Sequence, residues 1–382
     1  MIYLDNNATT QPTEKVVEAM LRYLTECYFN ASASTAAFTG ADRPRREAAA
    51  AMAKLLKAEE PECFIFTSGA TESNNWVFSS FARGRKAGRV LVSAIEHASI
   101  AEPAAELARA GFEVIEVPVD VEGIVRLDAL RDALREDTGL ISIMAANNET
   151  GVLEPVAEIG RLIRERCPAA LLHTDATQAV GKIPIDLQGE WQDVDLLSFS
   201  SHKFHGPKGI GGIYIRPGFE LEPMLLGGGQ ECGLRSGTTN TSALAGLALA
   251  ASEACHLEIE AIRDLRDAFE ARLLDALPEA IIHSRGVPRL PNTSYFSVPG
   301  TDGEEIGEGL AASGIIVGTG AACSSGSIGG SKTLRSMGVP QSIAAGGLRV
   351  SLSRFSTIAQ LEALLCAITP RCVKSASAGF AT

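Results

Sequence analysis

Lys203 stands between two histidines in the run SFSSHKFHGPKG, where an apolar stretch gives way to Gly-Pro-Lys-Gly. A protonated lysine is a poor nucleophile, but a desolvated site near other donors lowers its pKa until the amine forms an imine with an aldehyde. Two further groups belong with it. Asp175 follows the apolar run LLHT, a carboxylate able to converge with the amine on one ligand. In FIFTSGATESNN, Gly69 allows close backbone approach, and the amides after it, with Thr71, open a helix whose N-terminus favours an anion such as phosphate. Taken alone, that turn also reads as an ordinary helix cap.

A lysine for a Schiff base, a carboxylate for a pyridine nitrogen and donors for a phosphate are what pyridoxal 5'-phosphate requires of a protein. Lys203, Asp175 and the turn at Gly69, Ala70 and Thr71 supply them, and Ser200 and His202 flank the lysine as further phosphate donors. Two alternatives stay open at this point. HKFH also suits a surface turn in which Lys208 is the special amine, and His202 with His205 could face a metal, although no carboxylate or thiol at ligand spacing accompanies them.

These residues need elements to hold them, and the chain alternates strand and helix. FIFTSGATESNN, RVLVSAIEHAS, LISIMAANNETG, LLHTDATQAVG and DLLSFSSHKFHG each read as an apolar strand ending in polar residues. Such alternation predicts an α/β fold with a mostly parallel sheet covered by helices on both faces, its ligands gathered at the carboxyl ends of the strands. RPRREAAAAMAKLLKA and the segment Glu158 to Arg166 after Pro155 read as helices. From about residue 256 the pattern changes to a charged helix, EIEAIRDLRDAFEARLLDAL, and short strands such as TSYFSV and LRVSLS, which marks a domain boundary.

The bulk properties narrow the partners. With 382 residues, 46% of them hydrophobic, the chain can bury a large core, and its net charge of −12 without a Lys/Arg-rich run argues against nucleic acid or an anionic membrane surface. No stretch predicts a membrane span or a leader, so the expected location is cytoplasmic. Eight cysteines, none in a CxxC pair, fit neither a disulfide scaffold nor a zinc ribbon.

YLDNNATT, FTSGATESNN, EHASI, NNETG, HTDATQAVGKIPID, SSHKFHGPKGIG, GGGQECGLRSGT and LRVSLSRF follow one another in the order of the motifs of the NifS-like cysteine desulfurases, which the chain resembles over nearly its whole length. These belong to the class V branch of fold-type I pyridoxal phosphate enzymes. The resemblance implies a large cofactor-binding domain (14–255) with a seven-stranded, mostly parallel sheet, and a smaller α+β domain (1–13 and 256–382) carrying a catalytic cysteine loop. It implies a homodimer with active sites at the subunit interface.

By the same resemblance Lys203 is the Schiff-base lysine and Asp175 the partner of the pyridine nitrogen. His97 is similar to the histidine that stacks on the ring and serves as acid or base. Asn148 and Gln178 resemble the residues at the cofactor's phenolic oxygen. Ala70, Thr71, Ser200 and His202 resemble the phosphate ligands, joined by Thr238 from the other subunit. Arg349 is similar to the arginine that forks onto the substrate carboxylate, where planar geometry suits the task, with Arg354 as the alternative. Asn148 and Asn30 correspond to further substrate contacts.

Cys323, in GTGAACSSGS, matches the family's nucleophile, and its small neighbours predict a mobile loop with an exposed thiol. The stretch from Cys323 to Gly338 has the long form of that loop. The implied reaction converts L-cysteine to L-alanine with a persulfide on Cys323, whose sulfur passes to an acceptor protein for iron–sulfur cluster assembly or other sulfur-containing biosynthesis. A selenocysteine or cystine lyase, an aminotransferase of the same class and a noncatalytic sulfur-relay scaffold are the alternatives. The chain departs from the family pattern after Asn30, where ASASTAAFTGADR lacks the usual proline and histidine, and at 328–330, where Ile-Gly-Gly replaces Leu-Glu-Pro.

Overall fold

The computed structural model describes residues 1–83, 85, 87–319 and 331–379. The chain opens with a short strand, β1 (Ile2–Tyr3). The alternation then yields β2 (Phe64–Thr67), β3 (Arg89–Ser93), β4 (Glu113–Val117), β5 (Thr138–Ser142), β6 (Leu171–Asp175), β7 (Leu196–Ser200) and β8 (Gly211–Ile215). They form one seven-stranded sheet in the order β2-β8-β7-β6-β5-β3-β4. Only β8 runs against the others, antiparallel to both β2 and β7.

RVLVS and LLSFS bury every residue, as strands covered on both faces must. EVIEV is only partly buried, and β4 is the sheet edge, where the exposed Glu113 and Glu116 oppose pairing with another chain. One face of the sheet packs Met52, Leu56, Ile159, Ile163 and Leu247 from the helices Arg43–Leu56, Val156–Arg166 and Thr241–Ala254. The other packs Trp76, Phe78 and Ile100 from the helices Ala70–Ala82 and Ala98–Arg109. The Ala-rich run TSALAGLALAASEA owes its low charge to burial, and the Asn240 side chain caps it by accepting from the Ala243 amide at 3.0 Å. Among the described residues no helix is long and apolar enough to cross a membrane.

After Ala254 the chain enters the helix Ile259–Ala276, which packs Phe269 and Leu273 into a separate core with Phe296, Leu310 and Leu364. β9 (Ile281–Ile282), β10 (Thr293–Ser297), β11 (Ile315–Ile316), β12 (Gly318–Thr319) and β13 (Gly347–Ser351) follow. Four of them form an antiparallel sheet in the order β12-β13-β10-β9, while β11 pairs in parallel with β1. The segment 5–10, DNNATT, therefore starts beside the small sheet, where the Asn7 amide donates to Ser351 Oγ at 2.9 Å. It ends against the large one, where the Thr10 amide donates to the His202 carbonyl at 2.9 Å.

Candidate active site

The carboxyl ends of β2, β6 and β7, the helix starts that follow β2 and β3, and the DNNATT segment enclose a cavity of about 550 Å³. Ala70, Thr71, His97, Asn148, Asp175, Gln178, Ser200, His202, Lys203 and Arg349 all line it, as does Lys208. Cys323 lies outside the described residues. Asn30 and Thr238 are not brought to this cavity. Asn30 is exposed, and its Oδ1 accepts from the Ser32 amide within the departing segment. Thr238 is exposed on the segment between β8 and the helix Thr241–Ala254. Arg354 is committed elsewhere, to Glu253 at 3.0 Å.

Asp175 ends β6, and both carboxylate oxygens are held: Oδ2 by Asn74 Nδ2 at 2.8 Å and Oδ1 by the Thr177 amide at 2.9 Å. Lys203 follows β7 in a short 3₁₀ turn, and its Nζ donates to the Asn7 carbonyl at 2.6 Å and the Ala8 carbonyl at 2.9 Å. Arg349 donates through Nη1 to the Asn148 carbonyl at 2.7 Å and through Nη2 to Asp5 at 2.6 Å, which fixes the guanidinium plane. Gly318 packs against that plane with no side chain in the way: a Cβ there would sit 2.8 Å from Arg349 Nε, which is buried.

Charge at the site follows from burial. Burial lowers the His97 pKa, Asp175 opposes that shift, and the positive charge of Lys203 adds to it. Burial, then Lys203 and Lys208, push His202 down to about 4, so at neutral pH it offers an anion a hydrogen bond instead of a charge. Its Nδ1 lies 3.1 Å from Thr9 Oγ1. His205 turns away: it bonds the Gln11 carbonyl at 2.8 Å and packs edgewise on Phe355, a structural task in place of metal ligation.

Two residues of the site escaped the sequence reading. Asn7 is a hub: its carbonyl accepts from Lys203 and from Gln178 Nε2, and its Oδ1 accepts from Lys182 Nζ at 3.1 Å. Lys182 is buried, with its second bond to Gln178 Oε1 at 2.6 Å, and burial, Lys203 and Arg349 together hold its pKa well below the usual range. The motifs DNNATT and QAVGK contain both residues, but their spacing does not reveal that they meet.

The residues present fit pyridoxal phosphate. Gly69, at φ +153°, caps the helix Ala70–Ala82, and a Cβ on it would come within 3.4 Å of Ser200 Oγ, in the space between the helix start and the serine. That space suits a phosphate group among amides. Thr177 Oγ1, which is buried, lines the cavity without a protein partner, as a polar group awaiting a ligand would.

Comparison with known proteins agrees. The aminotransferase class-V family model matches residues 2–364. Cysteine desulfurase 2 of Trichormus variabilis is 41% identical over 373 residues, 97% of this chain and 92% of that protein. A solved structure of a NifS-like protein superposes with a TM-score of 0.90 at 36% identity, covering 98% of this chain and 99% of that one. SspA in complex with cysteine superposes with a TM-score of 0.82 at 29% identity, covering 94% and 100%. With this match over nearly its whole length, the chain belongs to the class-V aminotransferase family of pyridoxal phosphate enzymes, among NifS-like cysteine desulfurases.

Proposed function

We propose that the chain converts L-cysteine to L-alanine with pyridoxal phosphate and takes the sulfur onto Cys323 as a persulfide. The observation that carries this reading is the convergence of Lys203, Asp175, His97 and Arg349 on one cavity from four separate elements. When bound, the cofactor supplies an electron-withdrawing ring that stabilises negative charge at the substrate Cα.

The protein's residues do the rest. Asp175, held at both oxygens, would keep the pyridine nitrogen protonated. Ala70, Thr71, Ser200 and His202 would hold the phosphate, and Asn148 and Gln178 would flank the phenolic oxygen. Lys203 would hold the cofactor's aldehyde and serve as the base for the substrate Cα proton. Among its partners are two neutral backbone carbonyls, of Asn7 and Ala8, which accept from its ammonium. Arg349, which lines the cavity, would receive the substrate carboxylate. The Cys323 thiolate attacks the substrate sulfur: an S–S bond forms, the C–S bond breaks, and its electron pair stays on carbon, which is protonated to the alanine methyl group.

The same reading includes a homodimer in which Thr238 completes the phosphate site of the partner subunit. Its support is that Thr238 is exposed and outside its own cavity, and that Leu21, Leu24, Tyr28 and Phe38 expose apolar surface a second copy would cover. The persulfide then passes its sulfur to an acceptor protein for iron–sulfur cluster assembly or another sulfur-containing biosynthesis. The described cysteines are all free thiols, which suits a reducing cytoplasm.

Alanine and sulfide measured together after incubation of the purified protein with L-cysteine test the reading. Alanine matched by transferable sulfur supports it, and a keto acid in place of alanine would point to an aminotransferase. Lys203→Ala should lose the yellow colour and all turnover; sulfur release at the normal rate from that variant would sink the assignment.

A further inference from the structure

Asp175 and His97 are joined by two side chains that the roles above leave unused. Asn74, fully buried on the helix Ala70–Ala82, directs both amide hydrogens: one to Asp175 Oδ2 at 2.8 Å, the other to Ser99 Oγ at 2.9 Å. The amide cannot be turned over, because Oδ1 would then face a carboxylate oxygen. Ser99 Oγ thus receives a hydrogen bond, and its own proton is left for His97 Nδ1, 2.8 Å away. The Ser99 backbone N–H, whose direction is set by the helix start, also meets Nδ1, at 3.1 Å. A nitrogen that accepts from two donors carries no hydrogen, so the proton of the neutral ring sits on Nε2.

We propose that Asn74 and Ser99 are positioning residues that hold His97 as the neutral, Nε2-protonated imidazole and tie it to the Asp175 carboxylate through one hydrogen-bond chain. His97 then presents Nε2–H as a donor and takes up no proton there. A proton accepted by the ring must enter at Nδ1 and break the contact with the Ser99 amide. Burial and Lys203 act in the same direction as the chain, and Asp175 acts against it. The significance for catalysis rests on the reading that His97 and Asp175 face the cofactor; the hydrogen-bond chain does not depend on it.

The test is long-range proton–nitrogen NMR on the cofactor-loaded protein with isotope-labelled histidine. The chain has six histidines, and His97 is assigned by the signal lost in His97→Gln. At neutral pH, His97 should show a bare Nδ1 and a protonated Nε2. Ser99→Ala and Asn74→Ala should each raise the midpoint of His97 protonation by about 0.5 to 1 pH unit, the loss of one ordinary hydrogen bond to the neutral form. Ser99→Thr, which keeps the hydroxyl, should leave the midpoint in place. Should Asn74→Ala fail to fold, Asn74→Ser, which cannot reach both partners, replaces it with the same expectation. A protonated Nδ1 in the wild type, or one midpoint shared by all variants, overturns the proposal. The signals require no turnover, so a protein that makes no alanine would overturn the desulfurase reading and leave this test intact.

Discussion

If Cys323 takes the sulfur as proposed, replacing it separates sulfur transfer from simple elimination. Cys323→Ser removes the sulfur acceptor while leaving Lys203, Asp175 and Arg349 untouched, so cofactor binding and the yellow colour should persist. Mass spectrometry after exposure to L-cysteine should find added sulfur on Cys323 in the wild type and on no cysteine of the variant, the other seven serving as controls for oxidation. Full alanine production by Cys323→Ser would favour direct elimination and a lyase. At this scale the convergence of Lys203 and Asp175 on one cavity was readable from their places at strand ends, and that of His97 from the family motif EHASI. Asn7, Asn74 and Lys182 act through partners far along the chain, such as Asp175 for Asn74 and Asn7 for Lys182. Buried polar residues of this kind look like ordinary solvated ones until folding brings their partners in.

At the scale of elements, the proposed phosphate site between the helix start at Gly69 and Ser200 has little spare room. The alternation of apolar strands and helices made the parallel sheet legible, because strands buried on both faces must be apolar throughout. The reversed strand β8 was not legible, since GGIYI is as fully buried as its neighbour LLSFS and direction is decided by connections. Its glycines carry the reason for its position. A Cβ on Gly211 would lie 2.4 Å from the Phe199 carbonyl oxygen and 2.8 Å from Gly69 Cα, and both contacts are with backbone that cannot swing away. Gly211→Ala should therefore displace the turn at Gly69, from which the helix Ala70–Ala82 presents its amides. The expected outcome is at least a tenfold weaker hold on pyridoxal phosphate, on the order of 1.4 kcal/mol, measured by cofactor release on dilution, with the far-ultraviolet helix signal retained. Wild-type cofactor affinity in Gly211→Ala would show that the cradle is less constrained than the close approach of β8 implies.

For the whole molecule, buried titratable groups set a pH window for stability. His173, His202, His205 and His283 are held near 4 by burial, against 6.5 for the free side chain. The unfolded chain thus binds more protons between these values, and the stability present above 6.5 is lost as pH falls toward 4. Glu96 and Glu154 are shifted the other way, to about 8 from 4.5, again by burial. Their favourable contribution is complete below 4.5 and is lost as pH rises through 8. The histidines' contribution levels off within about one unit above 6.5, and from there these two carboxyls should drive a decline. Over the interval from pH 6.5 to 8 each costs roughly 2 kcal/mol, at about 1.4 kcal/mol per unit. Glu154 accepts one bond, from the Val125 amide at 2.8 Å, and its other oxygen has no partner among the described residues, so this single bond only partly offsets the burial of its charge. Glu154→Gln removes one of the two ionisations, the one that burial and the nearby Glu96 disfavour. The variant should lose stability at pH 6.5, where its amide is imperfectly bonded, yet its urea midpoint should fall between pH 6.5 and 8 by half or less of the wild-type drop. An unchanged drop would mean that the alkaline limit is set by other groups.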